Sequence, residues 1–307
     1  MKKVFLVFKA GEKTGTGHMR RVGLIRDFLD DICEVRTYYS GDRNMVMSYM
    51  PDSVKFNSDS DLILYADQIR PDVIIIDRQR NLPDSVCKLK KFCDTLILIE
   101  DDGPAVEYAD AVFDANRAGD GKRHHFFGPD WVFLSENIAE HRKTHISAEA
   151  HRLFVCMGGT DVKRNIPYII GSLRDRFELF ILPGIHYTEY LNFVMPGVNI
   201  LRESEDFYAT ASACDIALVS GGMIMHEMCA LCVPSVVWPQ VEHQEYNAVL
   251  MEELGLIVRT EDEIMLKTTK GFADNYLNRQ TVFTNLSGRT LFKALKKVKK
   301  IVEDTNG

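Results

Sequence analysis

The residues best suited to chemistry lie where a glycine-rich turn meets the start of a helix. Gly15 and Gly17 follow an apolar run at residues 4–8, and His18 immediately precedes a helical pattern over residues 19–29. Glycines let a backbone approach a ligand closely, and the free N–H groups of a helix start attract anions. The positive end of a helix also favours a neutral imidazole, which suits a general base. A histidine that only caps the helix or packs beneath it fits the spacing equally well.

This first turn matches neither of two common phosphate-binding loops. The dinucleotide fingerprint needs a third glycine at a fixed spacing, and the Walker A loop needs Gly-Lys followed by Ser or Thr. Neither pattern is present around Gly15 and Gly17. The turn alone therefore indicates an anion-friendly site without naming its ligand.

A second glycine turn, Gly221 and Gly222, follows a predicted strand at residues 216–219 and opens a helix predicted over residues 225–232. A helix start of this kind is again suited to an anion. Glu227 lies one turn into that helix, where its carboxylate could accept hydrogen bonds from the two hydroxyls of a ribose. A solvated helix position is the alternative for Glu227. The neighbouring polar residues are candidate contacts of the same nucleotide: Ser220, His243, Gln244 and Asn247.

A third glycine turn follows the strand predicted at residues 153–157. It contains Gly158, Gly159 and Thr160 and is followed by Asp161. Thr160 and Asp161 would equally suit N-capping of the next helix, so the turn has both a binding and a structural interpretation.

Short apolar runs alternate with helical patterns along the chain, which is typical of parallel sheets covered by helices. The rhythm stops at a polar stretch, residues 136–151, and then starts again. We therefore expect an α/β protein with two Rossmann-like domains, residues 1–145 and 146–280, whose parallel sheets face each other across a cleft. A basic C-terminal helix within residues 281–307 is expected to pack back on the first domain. The other predicted strands are residues 73–77, 95–99, 110–114, 177–182, 198–201 and 235–238, and the other predicted helices are residues 85–93, 166–173, 247–254 and 290–302.

Composition and charge argue against several other classes of protein. The 307 residues carry a formal net charge of −7, whereas a general nucleic-acid binder presents a basic surface. No apolar stretch is long enough to cross a bilayer, and the first apolar run is too short for a signal peptide. The seven cysteines form no regular framework and are expected to be reduced. These features predict a cytoplasmic protein.

Two clusters are weaker candidates for a metal or redox site. Asp120, His124 and His125 could bind a metal, but a polar loop is the expected interpretation. Cys229 and Cys232 form a single CxxC pair inside an apolar helix without a second pair, which argues against zinc or redox chemistry.

The order of these motifs resembles the GT-B superfamily of nucleotide-sugar enzymes, from residue 1 to about residue 260. The sequence is more specifically similar to the UDP-sugar hydrolases of pseudaminic acid biosynthesis and to the related spore-coat polysaccharide proteins (PseG/SpsG-like, MurG-related). The matching positions are Gly15, Gly17, His18, Arg21, Ile76 with Asp77, Asp101 with Asp102, residues 110–116, residues 154–161, and the glycine-to-glutamate motif that ends at Glu227.

The resemblance implies hydrolysis of a UDP-sugar with release of UDP and inversion at the anomeric carbon. The family substrate is UDP-2,4-diacetamido-2,4,6-trideoxy-β-L-altropyranose, an intermediate for surface polysaccharides. His18 would be the base that activates water, without metal or cofactor, and Glu227 would hold the ribose. The glycine turns of the second domain would surround the diphosphate.

The roles of three matching residues in the first domain are less definite. The resemblance places Arg21 with the first turn in substrate binding. Asp77 and Asp101 could orient His18, bind sugar hydroxyls, or cap the ends of their strands. A monomer or weak dimer is expected, with neither nucleic acid nor a membrane-spanning segment.

Two other functions use the same features. A GT-B glycosyltransferase would move the sugar from the nucleotide to an acceptor instead of to water. A non-catalytic binder of nucleotide-sugars would need the second-domain motifs but not the histidine base.

Overall fold

A computed structural model describes residues 1–11, 17–159, 161, 163–184, 194–202, 207–289 and 293–305. The chain divides into two compact units, Met1–Ser135 with Leu291–Gly307, and Glu136–Thr290. The division therefore lies before the expected boundary at residues 145 and 146. Residues 281–289 belong to the second unit, where Val282, Phe283 and Leu286 are buried.

The first unit contains a seven-stranded sheet in which every pairing is parallel. Its strand order is β3-β2-β1-β4-β5-β6-β7. The strands are β1 Lys2–Ala10, β2 Cys33–Gly41, β3 Val54–Lys55, β4 Val73–Asp77, β5 Thr95–Ile99, β6 Ala111–Asp114 and β7 His125–Phe127. The helices are α1 Gly17–Leu29, α2 Arg43–Tyr49, α3 Asp59–Ile69, α4 Pro83–Leu89 and, from the C-terminus, the helix Lys293–Asp304.

Apolar side chains cover both faces of this sheet. Val4, Leu6 and Phe8 of β1 enter one apolar cluster, and Phe5 and Val7 enter the other. Successive side chains of a strand point to opposite faces, so a continuous apolar run is what a strand buried on both sides requires.

The C-terminal helix belongs to the first of these clusters. Ala294, Leu295, Val298 and Val302 are its buried residues and pack with the sheet of the first unit. Its end is capped by a side chain from the first strand, because Lys2 Nζ donates to the carbonyl oxygens of Val302 and Glu303, each at 2.8 Å.

The second unit repeats the same architecture with six parallel strands, in the order β10-β9-β8-β11-β12-β13. The strands are β8 Arg152–Cys156, β9 Glu178–Ile181, β10 Val198–Ile200, β11 Ile216–Val219, β12 Ser235–Val237 and β13 Val258–Arg259. The helices are α5 Ile166–Leu173, α6 Phe207–Ala213, α7 Met223–Ala230, α8 Glu242–Glu253, α9 Met265–Asp274 and α10 Tyr276–Ser287. The C-terminal helix Lys293–Asp304 is α11.

The strand order reverses direction once in each sheet. In the first unit the chain moves outward from β1 to β3 and then returns to the other side of β1 at β4; β8 and β11 make the same reversal in the second unit. Open parallel sheets bind ligands outside the carboxyl ends of the strands at such a reversal. The expected class of two Rossmann-like, parallel-sheet units is therefore confirmed.

The helices and strands that could not be predicted from the sequence are mainly amphipathic ones and those at the edges of the sheets. β2 was not predicted, because Glu34 and Arg36 interrupt its apolar residues on the less buried face. The helix predicted over residues 225–232 begins earlier, at Met223, directly after the glycine turn. α8 likewise begins at Glu242 rather than at residue 247. Among the described helices, none combines the length and hydropathy needed to span a membrane.

Candidate functional site

His18 and Asp77 form a hydrogen-bonded pair at the reversal of the first sheet. His18 is the second residue of α1, and Asp77 is the last residue of β4, the strand beside β1. Their atoms Nδ1 and Oδ1 lie 2.7 Å apart, with the Asp77 side chain fully buried and the His18 side chain 11% exposed. An ionised carboxylate only accepts, so in the neutral imidazole Nδ1 carries the proton and Nε2 carries the lone pair. In that tautomer Nε2 is the atom that can accept a proton.

Arg21, which the resemblance places in substrate binding, is buried against this pair and contacts Asp77 directly. Its Nε and Nη2 donate to the two oxygens of Asp77, each at 2.7 Å. On its other side Nη1 donates to Glu100 Oε1, and Nη2 donates to Glu100 Oε2 at 2.8 Å. The residue is only 3% exposed. A guanidinium with both forks occupied by protein carboxylates has little capacity left for a substrate.

The charges in this network stabilise one another. Burial alone would raise the pKa of Asp77, but the positive charge of Arg21 and the contact with His18 lower it below its ordinary value. Glu100 follows the same logic: burial would raise its pKa, and Arg21 lowers it. Both carboxylates are therefore ionised at neutral pH, and both oxygens of Asp77 accept hydrogen bonds from Arg21 or His18.

Asp114, the last residue of β6, is the one carboxyl group in this region with the opposite shift. Burial and then the negative charge of Glu100 raise its pKa to about 7. The backbone N–H of Asn116 donates to its Oδ1 at 2.9 Å. The two neighbouring acids therefore differ in protonation. Glu100 is ionised and pairs with Arg21, whereas Asp114 keeps its proton up to about neutral pH.

We expect Asp114→Asn to stabilise the protein at alkaline pH. The pKa of Asp114 is raised in the folded state, so the stability that its proton contributes is present below pH 4 and declines between about pH 4 and pH 7. The amide has no proton to lose and still accepts from Asn116. At pH 8 the variant should exceed the wild type in free energy of unfolding by at most about 4 kcal/mol. Urea unfolding between pH 4 and pH 8 measures this, and Asp31→Asn, at an exposed position, is the control. If the difference in free energy of unfolding between the variant and the wild type were the same from pH 4 to pH 8, the raised pKa of Asp114 would be contradicted.

Asp101 stabilises the loop geometry beyond β4 and β5. Its carboxylate accepts from Asn81 Nδ2 at 2.7 Å, from the Asn81 backbone N–H at 3.2 Å and from the Gly103 backbone N–H at 2.8 Å. The residue is fully buried. These contacts favour the strand-end cap among the roles left open by sequence.

In the second unit, three of the predicted residues lie together at the reversal between β8 and β11. Ser220 follows β11, Gly158 follows β8, and Gly222 precedes the first residue of α7. Gly158 has φ of 84°, and a Cβ there would lie 3.1 Å from Ser220 Oγ. Gly159 is packed so closely that a Cβ at Gly184 would lie 2.7 Å from its carbonyl oxygen. Small residues are therefore required on both sides of this turn.

The Ser220 hydroxyl adds a polar group to the turn that precedes α7. Ser220 Oγ is buried, and within the described part of the chain it has no hydrogen-bond partner. The same part of the chain provides no side-chain cap for α7. Buried hydroxyls and helix-start N–H groups ordinarily find a partner, and a phosphate would supply oxygens to both.

Glu227 occupies a buried rather than a solvated position on α7. It is 4% exposed, and Tyr208 of α6 donates its hydroxyl to Glu227 Oε1 at 3.0 Å. The Glu227 carboxylate thus accepts a hydroxyl donor inside the unit. The solvated alternative for Glu227 is therefore wrong.

The start of α8 packs directly on the second glycine turn. A Cβ at Gly221 would lie 2.7 Å from the Gln244 carbonyl oxygen, so only glycine fits. Gln244 Oε1 accepts from the Gln240 backbone N–H at 2.9 Å, and Asn247 Nδ2 donates to the Gly221 carbonyl at 3.3 Å. His243 is exposed in the first turn of α8. Gln244 and Asn247 therefore support the turn, whatever else they contact.

Several sequence candidates have a structural role or lie outside the described residues. Gly15 and Thr160 belong to the latter group, while Gly17 is the first residue of α1. Asp161 accepts from the backbone N–H groups of Asn165 and Ile166 at 3.1 and 3.2 Å, which supports its capping interpretation.

The weaker metal and redox candidates also have structural contacts. His125 pairs with Asp120 at 2.6 Å, but no group of three metal-ligating side chains lies together among the described residues. Cys229 and Cys232 are buried, and Cys232 accepts from Arg142 Nε at 3.0 Å.

Two contributors to these sites were missed in the sequence. Glu100 adjoins the predicted Asp101, but only the strand order places it beside Arg21. Tyr208 precedes Glu227 by 19 positions and lies on another helix. A motif search has no signal for either contact, since each depends on elements that are distant in sequence.

No protein-family profile matches the sequence. It is 21% identical over 270 residues to the spore coat polysaccharide biosynthesis protein SpsG of Bacillus subtilis, which covers 80% of this chain and 79% of that protein. It is 23% identical over 273 residues to an uncharacterized protein, MJ1062, of Methanocaldococcus jannaschii, which covers 79% of this chain. The chain spans 56% of the length of that second relative.

Solved structures with low sequence identity share the fold. MurG of Acinetobacter baumannii gives a TM-score of 0.69 at 14% identity, over 99% of each chain. The spinosyn rhamnosyltransferase SpnG complexed with thymidine diphosphate gives 0.65 at 11% identity, over 98% of this chain and 100% of that one. MnaA of S. aureus, in a co-structure with UDP, gives 0.60 at 12% identity, over 99% of this chain and 96% of that one. The protein therefore has the GT-B fold.

Proposed function

We propose that this protein hydrolyses a nucleotide-diphosphate sugar, with His18 as the general base. The observation that carries the proposal is the hydrogen bond of 2.7 Å between His18 Nδ1 and the buried Asp77. It leaves Nε2 as the imidazole atom with a lone pair, at the end of the sheet where this fold binds ligands. A protein that only binds nucleotide-sugars has no need of an oriented histidine.

In the proposed reaction, water attacks the anomeric carbon from the side opposite the nucleotide. His18 Nε2 takes a proton from that water as the new C–O bond forms. The bond between the anomeric carbon and the diphosphate oxygen breaks, and the diphosphate leaves with the electron pair. Asp77 stabilises the imidazolium that results. The products are a free sugar of inverted configuration and the nucleoside diphosphate.

We propose that the second unit binds the diphosphate leaving group. The uncapped start of α7 and the Ser220 hydroxyl provide donors to its oxygens. Donors oriented before the reaction stabilise the charge that develops on a leaving group. Gly158 and Gly222 provide the close backbone approach to that group.

We infer a ribonucleotide, with Glu227 accepting its two ribose hydroxyls, and take UDP as that nucleotide because the sequence resemblance implies a UDP-sugar. Solved proteins of the same fold include one with thymidine diphosphate and one with UDP, so the fold alone leaves both nucleotides open. The similarity to SpsG supports a sugar used in surface polysaccharide synthesis. A diacetamido-trideoxy sugar of the kind that the sequence resemblance implies is the first substrate to test.

The test is a reaction in ¹⁸O-labelled water with a panel of UDP-, TDP- and CMP-sugars. Hydrolysis at the anomeric carbon places the label in the free sugar and none in UDP. NMR at early times should show the anomer opposite to that of the donor. Release of nucleotide only when an acceptor alcohol is added would overturn the proposal.

We expect Glu227→Gln to weaken UDP binding by about 10- to 100-fold, since a hydrogen bond to a charged group contributes about 1.5–3 kcal/mol. The loss should be smaller for 2′-deoxy-UDP, which lacks one of the hydroxyls. Calorimetric titration of both nucleotides measures the two dissociation constants. The half-exposed Glu245, which pairs with Arg259 on α8, gives the control Glu245→Gln. If the substitution weakened the binding of UDP and of 2′-deoxy-UDP equally, Glu227 would not be a contact of the ribose hydroxyls.

A glycosyltransferase is the second candidate, since SpnG is a rhamnosyltransferase with the same fold. The same pair, His18 and Asp77, would then remove a proton from an acceptor hydroxyl instead of from water. Transfer and hydrolysis are distinguished by the labelled-water reaction, since only hydrolysis places oxygen from water in the sugar.

A further inference from the structure

Glu100 has a backbone conformation that its local sequence does not explain. It follows Ile99 at the end of β5 and has φ of 52°, in the left-handed region. A residue other than glycine loses about 1–3 kcal/mol there and keeps the conformation only when surrounding contacts hold it. Here the Glu100 carboxylate is held by two hydrogen bonds from Arg21.

Glu100 also reaches His18 through two intervening side chains. Arg21 lies between the carboxylates of Glu100 and Asp77 and binds both oxygens of each. Asp77 Oδ1 accepts from Arg21 and from His18, each at 2.7 Å. Arg21 Nη2 and His18 Nδ1 lie 3.2 Å apart because they share that oxygen. The position of the imidazole therefore depends on where Arg21 is held.

The charges indicate why a second carboxylate is present. Asp77 alone would be neutralised by the one positive charge of Arg21, which would leave no net charge for a protonated His18. With Glu100 the three groups carry a net charge of −1. That charge is matched when His18 takes up a proton, and the group is buried enough for the attraction to be weakly screened.

A neighbouring amide holds the outer side of Glu100. Asn116 Nδ2 donates to its Oε1 at 3.2 Å. The Glu100 side chain is 17% exposed, whereas that of Asp77 is not exposed at all. Glu100 is thus the outermost acid of the chain of contacts that ends at the imidazole.

We propose that Glu100 is a positioning residue for His18, which it serves by balancing the charge of Arg21. Asp77 is then free to orient the imidazole and to stabilise its protonated form. The inference rests on the proposed function for the identity of the base, but the chain of contacts is independent of it.

The test is Glu100→Gln, which keeps the shape of the side chain and removes its charge. We expect kcat for the nucleotide-sugar to fall by roughly 10- to 100-fold, since misplacement of a reacting group by about 1 Å costs about 100-fold. KM and the Kd for UDP should remain within twofold. In ¹⁵N-histidine NMR spectra, assigned with His18→Asn, the His18 Nδ1 and Nε2 signals should shift. The control Glu107→Gln removes an exposed carboxylate that pairs with Lys122 and should change none of these quantities.

Glu100→Gly separates the charge from the backbone strain. Glycine adopts the left-handed conformation without strain, so the two variants remove the carboxylate with the strain retained and with the strain relieved. Glu100→Gly should show the same loss of kcat and the same NMR shifts.

The outcomes distinguish this inference from the proposed function. If both Glu100 variants lower only the free energy of unfolding and leave kcat and the His18 signals unchanged, the positioning role is refuted while the function stands. If His18→Asn retains full turnover, the proposed base is wrong, and the NMR shifts still decide whether Glu100 controls the imidazole.

Discussion

Replacing His18 by asparagine is expected to lower kcat by about 100- to 10,000-fold, the usual contribution of a general base. Asparagine has no lone-pair nitrogen that can take a proton from water. Its amide Nδ2 can still donate to Asp77, so the buried carboxylate keeps a partner and the fold should be retained. The Kd for UDP should be unchanged, because the proposed nucleotide contacts all belong to the second unit.

Steady-state turnover of the best nucleotide-sugar in the panel measures this effect, and UDP titration measures the binding. His151→Asn is the matched control, since His151 forms an exposed pair with Glu149 at 2.9 Å. Its kcat should equal that of the wild type. A His18→Asn enzyme that retained more than a third of the wild-type kcat would show that water is activated by another group.

The parts of the fold with strong apolar patterns could be predicted from sequence. The first four residues of β4, Val73–Ile76, and those of β11, Ile216–Val219, have the continuous apolar character of strands covered on both faces. Helix α5 was predicted with its observed bounds, Ile166–Leu173, because its apolar residues recur at helical spacing. β2 was missed, and without it the strand order in the first sheet could not be derived.

The strand order is what converts separate motifs into a candidate site. His18 and Asp77 are 59 positions apart in sequence, and they meet because β4 returns to the side of β1. Sequence spacing could place each of them at a strand end or a helix start, but it could not pair them. For that reason the orienting role of Asp77 was only one of three alternatives.

The buried contacts of Arg21 could not be predicted from the sequence for a related reason. Its position three residues after His18 puts both side chains on one face of α1, which favours a shared ligand. The competing partner, Glu100, is 79 positions away and lies at the end of another strand. A buried arginine is satisfied by the nearest ionised acids, so its role could be assigned only once those acids were located.

Asp77→Asn is expected to cause a loss comparable to that of His18→Asn by a different route. If the amide oxygen of the variant remains with Arg21, its NH₂ group faces His18 and donates to Nδ1. The proton of the neutral imidazole is then forced onto Nε2, where it blocks the lone pair that takes the proton of water. A wrong tautomer of this kind lowers kcat by about 1,000- to 10,000-fold.

The same substitution should also destabilise the first unit, unlike His18→Asn. Arg21 loses one of two charged partners in a buried position, and breaking a buried ion pair costs about 3–5 kcal/mol. Urea unfolding measures that loss. Turnover is measured without urea, at a temperature at which circular dichroism shows that the variant is folded. Asp67→Asn, which breaks an exposed pair with Arg70, should cost at most about 1 kcal/mol and leave kcat unchanged. The tautomer of His18 and the ion pair with Arg21 are separate consequences of the Asp77 carboxylate. A destabilised Asp77→Asn protein with wild-type kcat would therefore show that Asp77 stabilises the fold but does not orient His18.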